Sequence, residues 1–188
     1  MVVRAADPES FGHLVTVLSD GGVAIVPCDT MYGIVGLAPR TDAKIRSIKG
    51  RGEDKPFLQL IGDSSWEGRM SDTPVPATLS RYWPGPLTLV FPARGGGSVA
   101  LRFPDSGFLQ RLLTTLGQPL YSTSVNRSGS SPIADLASMT REFEPDVDVI
   151  YDAGGVSPGP PSTLIDVTRH PFRVLRAGAI RVRPEDLA

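Results

Sequence analysis

The chain has 188 residues, a formal net charge of -1, an isoelectric point near 6.1 and 40% apolar residues, which suffices for one sizeable core over residues 1–188 as a single domain. The near-neutral charge argues against a protein that holds nucleic acid by bulk electrostatics, although a local basic face stays open. The single cysteine excludes an intramolecular disulfide and fits a reducing, cytoplasmic compartment, and the sequence has neither a membrane-spanning apolar run nor a signal-peptide pattern.

Taken in order, Asp7-Pro8 is expected to open a helix, with Asp as cap and Pro at the first helical position. Phe11, Leu14, Val15 and Leu18 form its apolar face and Gly21-Gly22 stops it; His13, a lone helical histidine, is given no role. Two apolar runs, Val23–Pro27 and Tyr32–Ala38, read as buried strands around the polar turn Cys28-Asp29-Thr30. Strand ends of this kind are where α/β proteins build sites. A short helical segment then delivers Lys49, Arg51 and Lys55. Exposed cations are commonly only solvated. However, Gly50 and Gly52 permit the backbone to turn, so that Lys49 and Arg51 converge on one anion, most simply phosphate. Gly21-Gly22 precedes a strand rather than following one, and no GxxxxGK[ST] is present, so neither a Rossmann nor a P-loop cradle is built here.

Phe57–Ile61 reads as a strand, residues 62–76 as a surface loop, Ala77–Trp83 as a short helix and Leu87–Phe91 as a buried strand, with Trp83 a packing residue. Gly95-Gly96-Gly97 leads into a strand, not a helix, and is a hairpin loop rather than a phosphate loop. The strand Val99–Phe103 carries Arg102, which in apolar surroundings needs either a salt bridge or an anion. Phe108, Leu109, Leu112, Leu113 and Leu116 mark a core helix, and Pro119–Thr123 a short strand. The hydroxyl-rich stretch 122–132 reads by itself as a turn. A weaker helix over Ala134–Phe143, a strand over Val149–Tyr151, a Gly/Pro loop and a strand from Ser162 to Asp166 follow; His170 falls in an exposed turn.

Five separated stretches together resemble the YrdC/YciO family, and within it the threonylcarbamoyl-AMP synthases. They are Pro27-Cys28-Asp29-Thr30-Met31-Tyr32-Gly33-Ile34 with Lys49-Gly50-Arg51-Gly52-Glu53-Asp54-Lys55-Pro56-Phe57; Trp83-Pro84-Gly85-Pro86-Leu87-Thr88; Ser124-Val125-Asn126; Ser162-Thr163-Leu164-Ile165-Asp166; and Leu175-Arg176-Ala177-Gly178-Ala179-Ile180. Lys49, Arg51, Ser124 and Asn126 match the family's KxR…SxN tetrad. Gly52 stands where the family has proline, which loosens the loop without removing charge.

The resemblance implies an α/β fold: a twisted mixed β-sheet flanked by helices, with a concave, locally basic cleft. It implies that L-threonine, bicarbonate and ATP give threonylcarbamoyl-AMP and pyrophosphate, ATP being a substrate with Mg²⁺ on its phosphates and no metal ligands from the protein. The product would pass to a tRNA threonylcarbamoyl transferase complex, with weak direct tRNA binding left open and no membrane involved. By the same resemblance Lys49 and Arg51 are catalytic and face the nucleotide; Asn126, Ser131 and Arg176 also contact it; Thr30, Lys55, Arg102, Ser124 and Ser162 hold threonine. Cys28, beside this site, reads as inert filler. Two other readings remain at this point. One is a non-catalytic RNA-binding protein using Arg169, Arg173, Arg176, Arg181 and Arg183; the other is a family paralogue with a different carbamoylated substrate.

Overall fold

The computed structural model describes residues 1–52, 56–63, 65–154 and 159–188. Its elements, in chain order, are β1 (Val2–Arg4), α1 (Ser10–Ser19), β2 (Val23–Pro27), β3 (Tyr32–Leu37), α2 (Asp42–Lys49), β4 (Leu58–Leu60), α3 (Ser65–Met70), β5 (Leu87–Pro92), β6 (Ser98–Arg102), α4 (Gly107–Leu116), β7 (Leu120–Ser124), α5 (Leu136–Phe143), β8 (Val149–Asp152), β9 (Thr163–Asp166) and β10 (Arg173–Arg176). The strands join one ten-stranded sheet in the order β1-β8-β2-β3-β7-β4-β6-β5-β9-β10. It is mixed: β1–β8, β8–β2, β4–β6 and β5–β9 are parallel, and the other neighbours antiparallel.

A strand covered on both faces must be apolar at every position, and β2 is: all of its residues are buried. Ala24 and Val26 join Leu14 and Leu18 of α1 and Leu109, Leu112 and Leu113 of α4 on one side. Val23 and Ile25 join Ile45 and Ile48 of α2 and Met139 and Phe143 of α5 on the other. A third cluster, around Leu87, Leu89, Leu101 and Ile165, consolidates the far half of the sheet. At full burial each Leu or Ile contributes about 1.5–3 kcal/mol, so these faces fix the register that carries the site residues.

The apolar pair β2–β3 and the hairpin through Gly95, Gly96 and Gly97, all at positive φ, form as expected. Trp83 donates to the Leu87 carbonyl at 2.7 Å and packs on Phe91, a packing role. His13 and His170 are exposed, the latter stacked on Phe172. Three expectations are corrected. The first helix begins at Ser10, not at Asp7-Pro8; Asp7 Oδ1 instead accepts from the Glu9 N–H in a local turn. The stretch 62–76 contains the helix α3, started by Asp63 Oδ1 accepting from the Ser65 N–H. The helix anticipated over Ala77–Trp83 is only a 3-10 turn, Ser80–Tyr82. Among the described residues no helix is long and apolar enough to cross a membrane.

Candidate active site

Four segments far apart in sequence meet at a cleft of about 300 Å³ over the central strands. They are the β2–β3 turn, the segment after α2, the end of β6 and the end of β7, with β9 and β10 closing one side. The site begins with how α2 is held. A Cβ on Gly36 would lie 2.5 Å from Thr41 Oγ1, so glycine there lets β3 press against the start of α2. At its other end α2 stops at Lys49 because Gly50 takes the left-handed conformation, φ 61°, and turns Arg51 away from the helix axis.

Lys49 is 2% exposed. Its Nζ donates to the Ser124 carbonyl at 2.7 Å and to Asn126 Oδ1 at 2.6 Å. Ser124 Oγ donates to the same Oδ1 at 2.6 Å, and Asn126 Nδ2 donates to the carbonyls of Arg127 and Ser130. The hydroxyl-rich stretch is therefore more than a turn: it wraps a buried ammonium. Arg127 clamps the assembly from behind, donating to the Ile48 carbonyl and to Asp146 Oδ2. Burial first, then the nearby charges of Arg51 and Arg127, lower the Lys49 pKa to about 8. Arg51 lines the cleft itself, with its guanidinium 4.8 Å from the Phe57 ring centre and Nη2 donating to the Pro56 carbonyl.

Across the cleft Arg102, 3% exposed, donates from Nη2 to Asp29 Oδ1 at 2.6 Å. Of the two options its sequence left open, a salt bridge or an anion, the structure shows the first, and Arg102 also stands on the cleft wall. Ser162 shares a hydrogen bond of 2.8 Å with Thr88 Oγ1, and Arg176 donates to the Ser162 carbonyl and hydroxyl. Burial and the charge of Arg102 depress the Arg176 pKa, which records how near the two cations lie. Cys28 lines the floor, and burial pushes its thiol up to about 11, so it stays protonated and is no nucleophile at neutral pH.

Of the residues singled out in the sequence, Thr30, Arg51, Arg102, Ser124, Ser162 and Arg176 line one cleft, and Lys49 and Asn126 lie directly beneath it. Ser131 is exposed and only its neighbour Pro132 reaches the lining. Lys55 lies outside the described residues. Sequence reading missed Asp29, Thr88 and Ser122 as site residues. The need of Arg102 for a partner was a signal for Asp29. Thr88 closes the Trp83–Thr88 stretch and Ser122 opens the hydroxyl-rich stretch 122–132, and those were the signals for the other two.

An α/β sheet that gathers cations and hydroxyls from separate strand ends around an open cleft has the makings of a site for small anionic molecules. A family model for Sua5/yciO/yrdC, described as "Telomere recombination", matches residues 16–178, and the chain belongs to that family. It is 36% identical over 177 residues to a threonylcarbamoyl-AMP synthase from Thiobacillus denitrificans, covering 85% of this chain and 91% of that one. It is 29% identical over 192 residues to the Bacillus subtilis threonylcarbamoyl-AMP synthase, covering 93% of this chain but only 54% of that protein. Among solved structures, Sua5 of P. abyssi complexed with L-threonine superposes with a TM-score of 0.84 at 26% identity, over 95% of this chain and 57% of that one. The E. coli YciO structure, at 24% identity and a TM-score of 0.83 over 98% and 97% of the two chains, shares the fold. The chain therefore spans about half the length of the B. subtilis and P. abyssi relatives and most of the T. denitrificans one.

Proposed function

We propose that the chain is an L-threonylcarbamoyladenylate synthase, a nucleotidyltransferase. The ammonium group of L-threonine first gives up a proton, and the resulting amine condenses with bicarbonate to a carbamate with loss of water. A carbamate oxygen then attacks the α-phosphorus of ATP, and pyrophosphate leaves. Such a step depends on positioning and on neutralising phosphate charge. The single observation that carries the reading is the meeting of Lys49 with Ser124 and Asn126, at 2.7 and 2.6 Å, beneath a cleft lined by Arg51, Arg102 and Arg176. The names of the relatives and the threonine bound to the P. abyssi neighbour support the same substrates.

In this reading Arg51 and Lys49 neutralise the triphosphate, while Asn126 and Arg176 face the nucleotide; Ser131, outside the cleft lining, would reach it only from the rim. Arg102 grips the threonine carboxylate, with Thr30, Ser124, Ser162 and Lys55 around the rest of the amino acid. Among the described residues no group of three or more His, Cys, Asp or Glu converges to hold an ion. The cleft carboxylate Asp29 is already engaged by Arg102. Magnesium would enter on the nucleotide's phosphates as part of the substrate, and no step is assigned to it. The continuity of one sheet from β1 to β10 supports residues 1–188 as a single domain. ATP as substrate and a product destined for a tRNA threonylcarbamoyl transferase complex support a cytoplasmic setting. The test is threonine-dependent pyrophosphate release: Lys49→Ala and Arg51→Ala should each lower kcat by about 10²–10³, as for loss of a comparable electrostatic donor. Wild-type rates in both variants would reject the assignment.

A further inference from the structure

We propose that Asp29 is a positioning residue for the amino-acid half of the site, setting the guanidinium of Arg102 in the orientation that grips the substrate carboxylate. The inference rests on the functional reading above, because it takes Arg102 as the carboxylate's partner.

Asp29 sits in the turn between β2 and β3 and Arg102 is the last residue of β6, 73 positions away. Each side chain is 4% exposed, and one hydrogen bond of 2.6 Å, Nη2 to Oδ1, joins them. Burying an ion pair is costly unless its remaining hydrogen-bonding capacity is used. Here it is not: Asp29 Oδ2 and Arg102 Nε are both buried with no partner among the described residues. A pair serving only the fold gains most from a fork, with two parallel N–H···O bonds. This pair stops at one. The Asp29 carboxylate holds a single corner of the guanidinium, and Arg102 lines the cleft wall with donors to spare.

A second charge near Arg102 is Arg176, which is anchored on Ser162 and close enough for the two cations to feel each other. Left alone, two like charges would turn apart. A carboxylate behind Arg102 opposes that and leaves the gap between the cations to an incoming anion. Asp29 also carries an electrostatic disadvantage for this task, since a negative charge beside the binding arginine weakens its pull on another carboxylate. Position and charge therefore predict opposite signs for the effect of neutralising Asp29 on threonine affinity.

The experiment measures L-threonine affinity by calorimetry in the presence of a non-hydrolysable ATP analogue, the affinity for that analogue alone, and Tm, for wild type, Asp29→Asn and Asp29→Glu. If Asp29 positions Arg102, Asp29→Asn weakens threonine binding by about tenfold or more while nucleotide affinity stays within about twofold, and Asp29→Glu recovers part of the loss. Unchanged or tighter threonine binding by Asp29→Asn overturns the proposal. So does a parallel fall of threonine and nucleotide affinity that follows Tm, the mark of a merely structural pair. If Asp29→Asn does not fold, Asp29→Glu, which keeps the charge but displaces it, decides by the same split between threonine and nucleotide. A wild-type chain that binds the nucleotide but no threonine rejects the functional reading itself and this inference with it.

Discussion

Lys49→Met removes the buried ammonium and keeps an unbranched apolar stem in its place. Holding Lys49 charged inside the protein is unfavourable: its pKa falls from 10.5 to about 8. At 1.36 kcal/mol per unit, that is about 3 kcal/mol of stability forgone at neutral pH. Against this stand the two bonds from Nζ. Asn126 Oδ1 keeps a donor in Ser124 Oγ, whereas the Ser124 carbonyl loses one. Leaving that part-buried acceptor short costs at most about 1–3 kcal/mol. The two effects nearly cancel, so urea unfolding of Lys49→Met should give a stability within about 1–2 kcal/mol of wild type. Pyrophosphate release per folded molecule should nevertheless fall by about 10²–10³. An ammonium kept at no net gain in stability is kept for chemistry. A loss above about 4 kcal/mol with full turnover per folded molecule would refute this, since it would make Lys49 a purely structural residue.

The same lysine sets a pH dependence. Because its pKa is about 8 in the folded chain and 10.5 in the unfolded one, the unfolded chain holds more protons between those values, and its contribution to stability rises with pH across that window. Below about pH 8 both states are protonated and the slope vanishes; the difference between wild-type and Lys49→Met unfolding curves isolates it, while kcat/KM for ATP should fall as pH passes about 8. Ser162→Ala strands the hydroxyl of Thr88, which is fully buried, and should cost about 1–3 kcal/mol in thermal or urea unfolding. Arg176 keeps the Ser162 carbonyl in that variant, so threonine affinity should fall more than nucleotide affinity. Gly50→Ala meets no atom within 4 Å, but must hold φ near 61°. It should cost about 1–2 kcal/mol and lower kcat/KM by misdirecting Arg51, measured by urea unfolding and pyrophosphate release.

Much of this arrangement is legible in the chain itself. Unbroken apolar runs such as Val23–Pro27 mark strands buried on both faces, and the leucine spacing of α4 allows one reading only. The glycine after Lys49 signals both the helix stop and the redirected arginine. What stays hidden is non-local or weakly patterned. The Asp29–Arg102 pair spans 73 positions and the Thr88–Ser162 pair 74, so no window of sequence contains either. The helix α3 is six residues long with no fully buried residue, and its one apolar pair, Trp66 and Met70, is too short a pattern to read inside a Pro-containing stretch. Strand β1 is three residues long and is defined by pairing with β8, which follows well over a hundred positions later. At Asp7-Pro8 the side chain satisfies a turn instead of a helix end, two uses of one carboxylate that sequence alone does not separate.

The most direct measurement is to incubate the purified chain with ATP, magnesium, L-threonine and isotope-labelled bicarbonate and identify the nucleotide product by mass spectrometry. An adenylate that carries both the threonine mass and the bicarbonate label, formed together with pyrophosphate, is the predicted result. Nucleotide recovered as unreacted ATP, or turned over equally without threonine, would contradict it.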